Sequence, residues 1–161
     1  MLNERAKSAV ISQLAAEDRF EQDKFELKID FASPNFAQSM QGRLLVFAPA
    51  VLDIPRSSAP AFQQVEKRVN PVVLHAALYR KTVRVKLPDG YTVDEAPSAL
   101  KLDADFAKCD LTFKQEPGVL VMTEELRTEA AVVPPDQFDK VKKFFDTCRG
   151  ADHQNAVLVK N

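Results

Sequence analysis

Cys148 and His153 stand close together near the C-terminus, with Asp146 and Asp152 on either side of the cysteine. A thiol, an imidazole and a carboxylate are the parts of a nucleophilic site, in which the histidine takes the thiol proton and the acid orients the histidine. Their setting argues against that use. Phe138, Val141, Phe144, Phe145 and Cys148 recur at helical spacing, which puts the sulfur on a buried stripe where a thiol is inert. His75 and His153 are the two histidines, read in a strand and a loop; neither has a histidine four positions on, and no Cys-x-x-Cys occurs, so the spacing of a zinc site is missing. Gly42, Gly90, Gly118 and Gly150 are too scattered for a phosphate-binding loop. Glu124 and Glu125 are neighbours on a strand, so they point to opposite faces, cannot act on one substrate, and are expected to be solvated. The aromatic residues are 11 Phe and 2 Tyr with no Trp, a set that fills cores more readily than it forms a sugar-stacking platform. No catalytic, cofactor-binding or metal-binding residue is assigned on these grounds, and no cofactor is expected.

Composition narrows the partners. A net charge of -1 without a Lys/Arg cluster argues against nucleic acid, whose binders neutralise many phosphates. No apolar run approaches the roughly 20 residues of a membrane-spanning helix; the longest, Leu44 to Leu52, is broken by Pro49. The N-terminus, Met1-Leu2-Asn3-Glu4-Arg5, lacks the regions of a secretory signal, which taken literally means cytoplasm. Cys109 and Cys148 are expected as two unpaired, partly buried thiols, with a bridge between them as the alternative.

The elements follow from periodicity. Leu2, Ala6, Ala9, Val10 and Leu14 have helical spacing, so residues 1–20 are expected to form a helical lead-in, read as part of a junction to an upstream domain, ahead of a β domain over residues 21–161. Phe25, Leu27, Ile29 and Phe31 alternate with charges as a half-buried strand does. A second strand runs from Arg43 to Ala48, and Asp53–Pro60 is a Pro- and Ser-rich loop, followed by a short helical or extended stretch from Phe62 to Arg68. Strands are expected over Val72–Leu78, Thr82–Leu87, Tyr91–Asp94, Phe106–Gln115, Val119–Glu129 and Ala156–Val159, with turns at Pro88-Asp89-Gly90 and Glu116-Pro117-Gly118. Pro134-Pro135-Asp136 opens a helix that Arg149-Gly150 should stop. Seven or eight strands and two helices predict a mainly β fold, an antiparallel β-sandwich with an N-terminal and a C-terminal helix; the alternative is an α+β arrangement, one sheet with both helices on one face.

The order of these signatures is more specific than any one of them. Arg68-Val69-Asn70-Pro71-Val72, Val83 to Tyr91 ending in Leu87-Pro88-Asp89-Gly90-Tyr91, Val93 to Pro97, Phe106, Pro134 to Phe145 and Ala151-Asp152 to Lys160 together resemble the C-terminal β-rich domain of unknown function of bacterial transglutaminase-like proteins. The resemblance runs from about Phe25 onward and is strongest from Arg68. It implies that the catalytic Cys, His and Asp lie in a preceding core, so no catalytic residue carries over to this chain. It also implies an exported parent protein, periplasmic or at the cell surface, and the upstream core, or another protein, as partner. Three functions follow in order: a non-catalytic accessory or interaction domain, a polysaccharide or peptidoglycan binding module, and a small Cys-His enzyme. Exposed strand edges and the Asp53–Pro60 loop are the expected contact surfaces.

Overall fold

The computed structural model describes residue 6 and residues 8–52 and 68–161. The Asp53–Pro60 loop, and the stretch from Phe62 apart from Arg68, lie outside the described residues. Among those described, twelve strands run in chain order: β1 Val10–Arg19, β2 Lys24–Ala32, β3 Gln38–Met40, β4 Leu44–Phe47, β5 Val72–Leu74, β6 Ala77–Lys86, β7 Tyr91–Glu95, β8 Leu100–Ala104, β9 Ala107–Glu116, β10 Val119–Thr128, β11 Ala131–Val133 and β12 Ala156–Lys160. Among the described residues an α-helix, α1 Phe138–Asp152, precedes β12. The architecture is mainly β and antiparallel, with no closed barrel.

A central sheet in the order β6-β10-β9-β8 carries the core. On its inward face Val83, Cys109, Leu111, Leu120, Met122 and Leu126 are buried, while Arg84, Asp110 and Thr112 of the opposite parity are exposed; on β10 Val121 of the opposite parity is buried too. At one end this face meets a second sheet, ordered β3-β4-β12-β7, where Leu120 packs with Phe47, Ala156 and Leu158. At the other end α1 lies on it, so that Val141, Phe144, Phe145 and Cys148 pack with Cys109 and Leu126 and with the small β5-β11 ladder. Burying an apolar side chain of this size contributes about 1.5–3 kcal/mol before entropy is subtracted, so the three phenylalanines of α1 clamp it firmly.

Local signals explain the turns. Gly90 takes a φ of 79° in the turn that the Tyr91 amide closes on the Pro88 carbonyl, a conformation that only glycine enters freely. Pro134 and Pro135 open α1 through a short 3₁₀ turn over Pro135–Gln137. Gly150 does not stop the helix as expected: the helix continues to Asp152, because Ala151 and Asp152 are both buried against the sheet. The strand list also lengthens, since Leu100–Ala104 forms β8, Gln38–Met40 forms β3, and Val72–Leu78 divides between β5 and β6.

The helix expected within residues 1–20 is corrected, because Val10–Arg19 is a strand paired with β2. A bulge at Ser12 shifts the register between Ile11 and Gln13, so that Ile11 and Leu14, three apart, both fall opposite the alternating residues Phe31 and Ile29. Apolar spacing of that kind imitates a helix when read without its partner strand. The hairpin is also less covered than its alternation suggested: Leu14 is 62% and Phe25 64% exposed, while Phe31 packs against the core at the hairpin's base. On its other face a hydrogen bond from Lys24 holds the Glu26 carboxyl below its usual range.

Candidate functional site

Three charged side chains sit on the inward face of the central sheet, among residues that are otherwise apolar. Lys81 continues the alternation of β6 between Tyr79 and Val83; Glu124 continues that of β10 between Met122 and Leu126. The antiparallel register sets Lys81 directly across from Glu124. Asp152, the last residue of α1, reaches the same point from the covering helix. Exposure is 7% for Lys81, 1% for Glu124 and 5% for Asp152.

The ammonium is held from three directions. Lys81 Nζ is 2.5 Å from Glu124 Oε2, 3.4 Å from Asp152 Oδ1, and donates a hydrogen bond of 3.1 Å to the carbonyl of Leu52. The buried apolar cluster that includes Val83, Met122 and Ala151 is built on the same two strands and helix as the three charges. Removing charges from water costs several kcal/mol per ion, offset only where geometry and extra hydrogen bonds are good. Here one cation faces two carboxylates and a carbonyl oxygen, so the cation is well satisfied and the cluster carries a formal excess of one negative charge.

Beside the cluster lies a covalent link. Cys109 on β9 and Cys148 on α1 form a disulfide, with Cα atoms 6.5 Å apart and 39 residues between them in sequence. The expectation of two unpaired thiols is therefore corrected. The reason is registry: Cys109 pairs across the sheet with Leu126 on the face that α1 covers, and Cys148 is on the helical stripe that does the covering. Glu124 Oε1 lies 3.8 Å from Cys148 Sγ, and one donor atom each of Cys109, Glu124 and Cys148 fall within 4.8 Å of one another. While the sulfurs are bonded to each other they offer no thiolate, so this grouping acts as a cross-link beside a carboxylate.

The sequence-level candidates scatter. Cys148 has no thiol to deprotonate in the bridged state, and it is buried, whereas His153 is exposed in the turn after α1 with its amide on the Gly150 carbonyl. Asp146 lies in surface ion pairs with Lys142 at 2.8 Å and Arg149 at 3.5 Å. His75 is exposed between β5 and β6, not within a strand. Glu124 and Glu125 do point to opposite faces, but the solvated reading of Glu124 is overturned by its 1% exposure. Sequence reasoning passed over Lys81 altogether. The available signal was phase: Lys81 and Glu124 each occupy the apolar parity of an alternating strand.

A shallow groove of about 640 Å³ opens on the outer side of α1, bounded by Phe106, Val132, Pro134, Lys140 and Phe144. Val132 is mostly exposed there, and Lys140 and Lys143 line the same groove.

No curated protein matches the chain. Among solved structures, the crystal structure of a "putative protease" from Parabacteroides distasonis ATCC 8503 is similar in fold, with a TM-score of 0.59 and 11% identity over 74% of this chain and 24% of that one. The chain thus spans about a quarter of the length of that protein. A family model described as "Domain of Unknown Function with solved-structure structure (DUF3858)" matches residues 43–158, which include the triad, both cysteines and α1 and leave out the β1–β2 hairpin. That match spans more than half of the sequence, and the chain belongs to the DUF3858 domain family.

Proposed function

We propose that this chain is a non-catalytic accessory domain of a larger, exported protein with a transglutaminase-like core, against which it packs or for which it holds a partner. The observation that carries this reading is the Cys109–Cys148 bridge: the two sulfurs that cysteine chemistry would need are bonded to each other in the core. A disulfide suits an exported protein, since thiols in the cytosol are kept reduced. The length relation supports it as well, because a similar fold occupies about a quarter of a much longer solved chain named for a protease. The order of turn and helix signatures from Arg68 to Lys160 supplies the transglutaminase-like element of the reading. The groove beside α1 gives such a domain an apolar surface for a neighbour.

The test is functional and chemical together. The oxidised chain is expected to show no acyl-transfer or hydrolytic turnover on amide and thioester substrates, and to resist iodoacetamide at neutral pH. A measured turnover that Cys148→Ala abolishes while the fold persists would overturn the reading. Saturable binding of cell-wall fragments would instead favour a polysaccharide-binding module.

A further inference from the structure

A lysine amine, a carboxyl carbon and a second carboxylate held together away from water are the parts of an amide condensation. We infer that Lys81 and Asp152 become joined by an intramolecular amide bond, with Glu124 as the proton carrier. Glu124 Oε2, at 2.5 Å, is placed to take a proton from Lys81 Nζ, and the Leu52 carbonyl at 3.1 Å fixes the direction of the amine. Asp152 Oδ1 lies 3.4 Å from Nζ, so the carboxyl group that would be attacked is held beside the amine.

The steps balance without a co-reactant. Glu124 removes one proton from the ammonium; the neutral amine attacks Cγ of Asp152, forming the C–N bond, while Glu124 returns its proton to a carboxyl oxygen. The second amine proton leaves with that oxygen as the tetrahedral intermediate collapses, so one C–O bond breaks, one water departs, and Glu124 ends as the carboxylate it began. In dilute water such a condensation is uphill, but well-oriented intramolecular reactants reach effective concentrations on the order of 10⁵–10⁸ M. Burial expels the water that would reverse it. The product also removes two of the three buried charges, which relieves the desolvation penalty of the cluster.

The bond would link β6 to the end of α1 across 71 residues of sequence and enclose the Cys109–Cys148 loop within its own. It is independent of the accessory role, since it forms once per chain and turns over no substrate.

Intact mass of the full chain, reduced and denatured, tests it directly. The chain is expected to be lighter than its sequence by one water, and proteolysis is expected to yield one branched peptide holding Lys81 and Asp152. Lys81→Ala and Asp152→Ala should each restore full mass, and Glu124→Gln, which keeps the side-chain shape, should lower the linked fraction at least tenfold. Full mass in the wild-type chain overturns the inference whatever the variants do. So does a water loss that maps elsewhere, to a Lys81–Glu124 link or to a cyclic imide at Asp89-Gly90.

Discussion

Glu124 and Glu125 are adjacent on one strand, and each stands directly across from a basic residue of β6, Lys81 in one case and Arg80 in the other. Both pairs are close, at 2.5 Å and 2.6 Å. The parity of the strand separates them: the Lys81–Glu124 pair is sealed between sheet and helix, whereas the side chains of Arg80 and Glu125 are 63% and 40% exposed. Two ion pairs of the same register and nearly the same length therefore differ in what their loss should do. In water each partner of the outer pair is resolvated at once and the pair is weak. Inside, the partner left behind keeps its charge without its solvent.

Of the two ion pairs, the larger effect is expected from Glu124→Ala. In the unlinked chain, breaking a buried pair by removing one partner costs about 3–5 kcal/mol, and the lower end, about 3 kcal/mol, is expected because Asp152 and the Leu52 carbonyl still hold Lys81. Urea denaturation followed by circular dichroism measures it, and the intact mass of the same sample separates a lost ion pair from a lost cross-link. A change no greater than that of Glu125→Ala would erase the contrast between the two faces. Next comes the bridge: Cys109→Ala with Cys148→Ala removes a cross-link over 39 residues, for which about 2–4 kcal/mol is typical. Reduction of the wild-type chain should lower its unfolding free energy by a similar amount, seen as a fall in the urea midpoint.

The same strand parity explains how much the sequence could tell. The alternation of β9 and the stripe of α1 were legible, so the antiparallel β architecture and the burial of Phe144, Phe145 and Cys148 followed from pattern alone. What alternation does not reveal is which strand lies beside which, and the site depends on that. Lys81 and Glu124 are 43 positions apart and meet only because β10 enters the sheet between β6 and β9. A charge on the apolar parity of one strand reads as an irregularity; two opposite charges on that parity in paired strands read as a designed contact. The cysteines were similarly opaque, since a bridge needs two Cα positions that only docking of α1 brings within range. The N-terminal strand reads as a helix for a related reason: the bulge at Ser12 makes sense only against β2.

A smaller effect is expected at the outer pair. A double-mutant cycle on Arg80 and Glu125, each changed to Ala, should return a coupling of about 0.2–1 kcal/mol, the usual size for exposed pairs, and it should shrink as salt is raised. If the coupling matched the inner pair's, burial could not be the variable that distinguishes them.

Smallest of all should be the response of the hairpin, where apolar residues repeat the outer pair's situation. Phe25 is 64% exposed, so Phe25→Ser removes little buried area, and surface substitutions of this kind stay within about 0.5 kcal/mol. Phe145, 3% exposed under α1, is the control: Phe145→Ala should cost about 3–5 kcal/mol through lost burial and the cavity left behind. The ratio of these two effects, read by the same denaturation, extends the contrast from charge to apolar area. Should Phe25→Ser destabilise the chain by more than about 1 kcal/mol, well beyond the surface range, the hairpin's apolar face would have to be covered in solution, and exposure read from the single chain would no longer rank these positions.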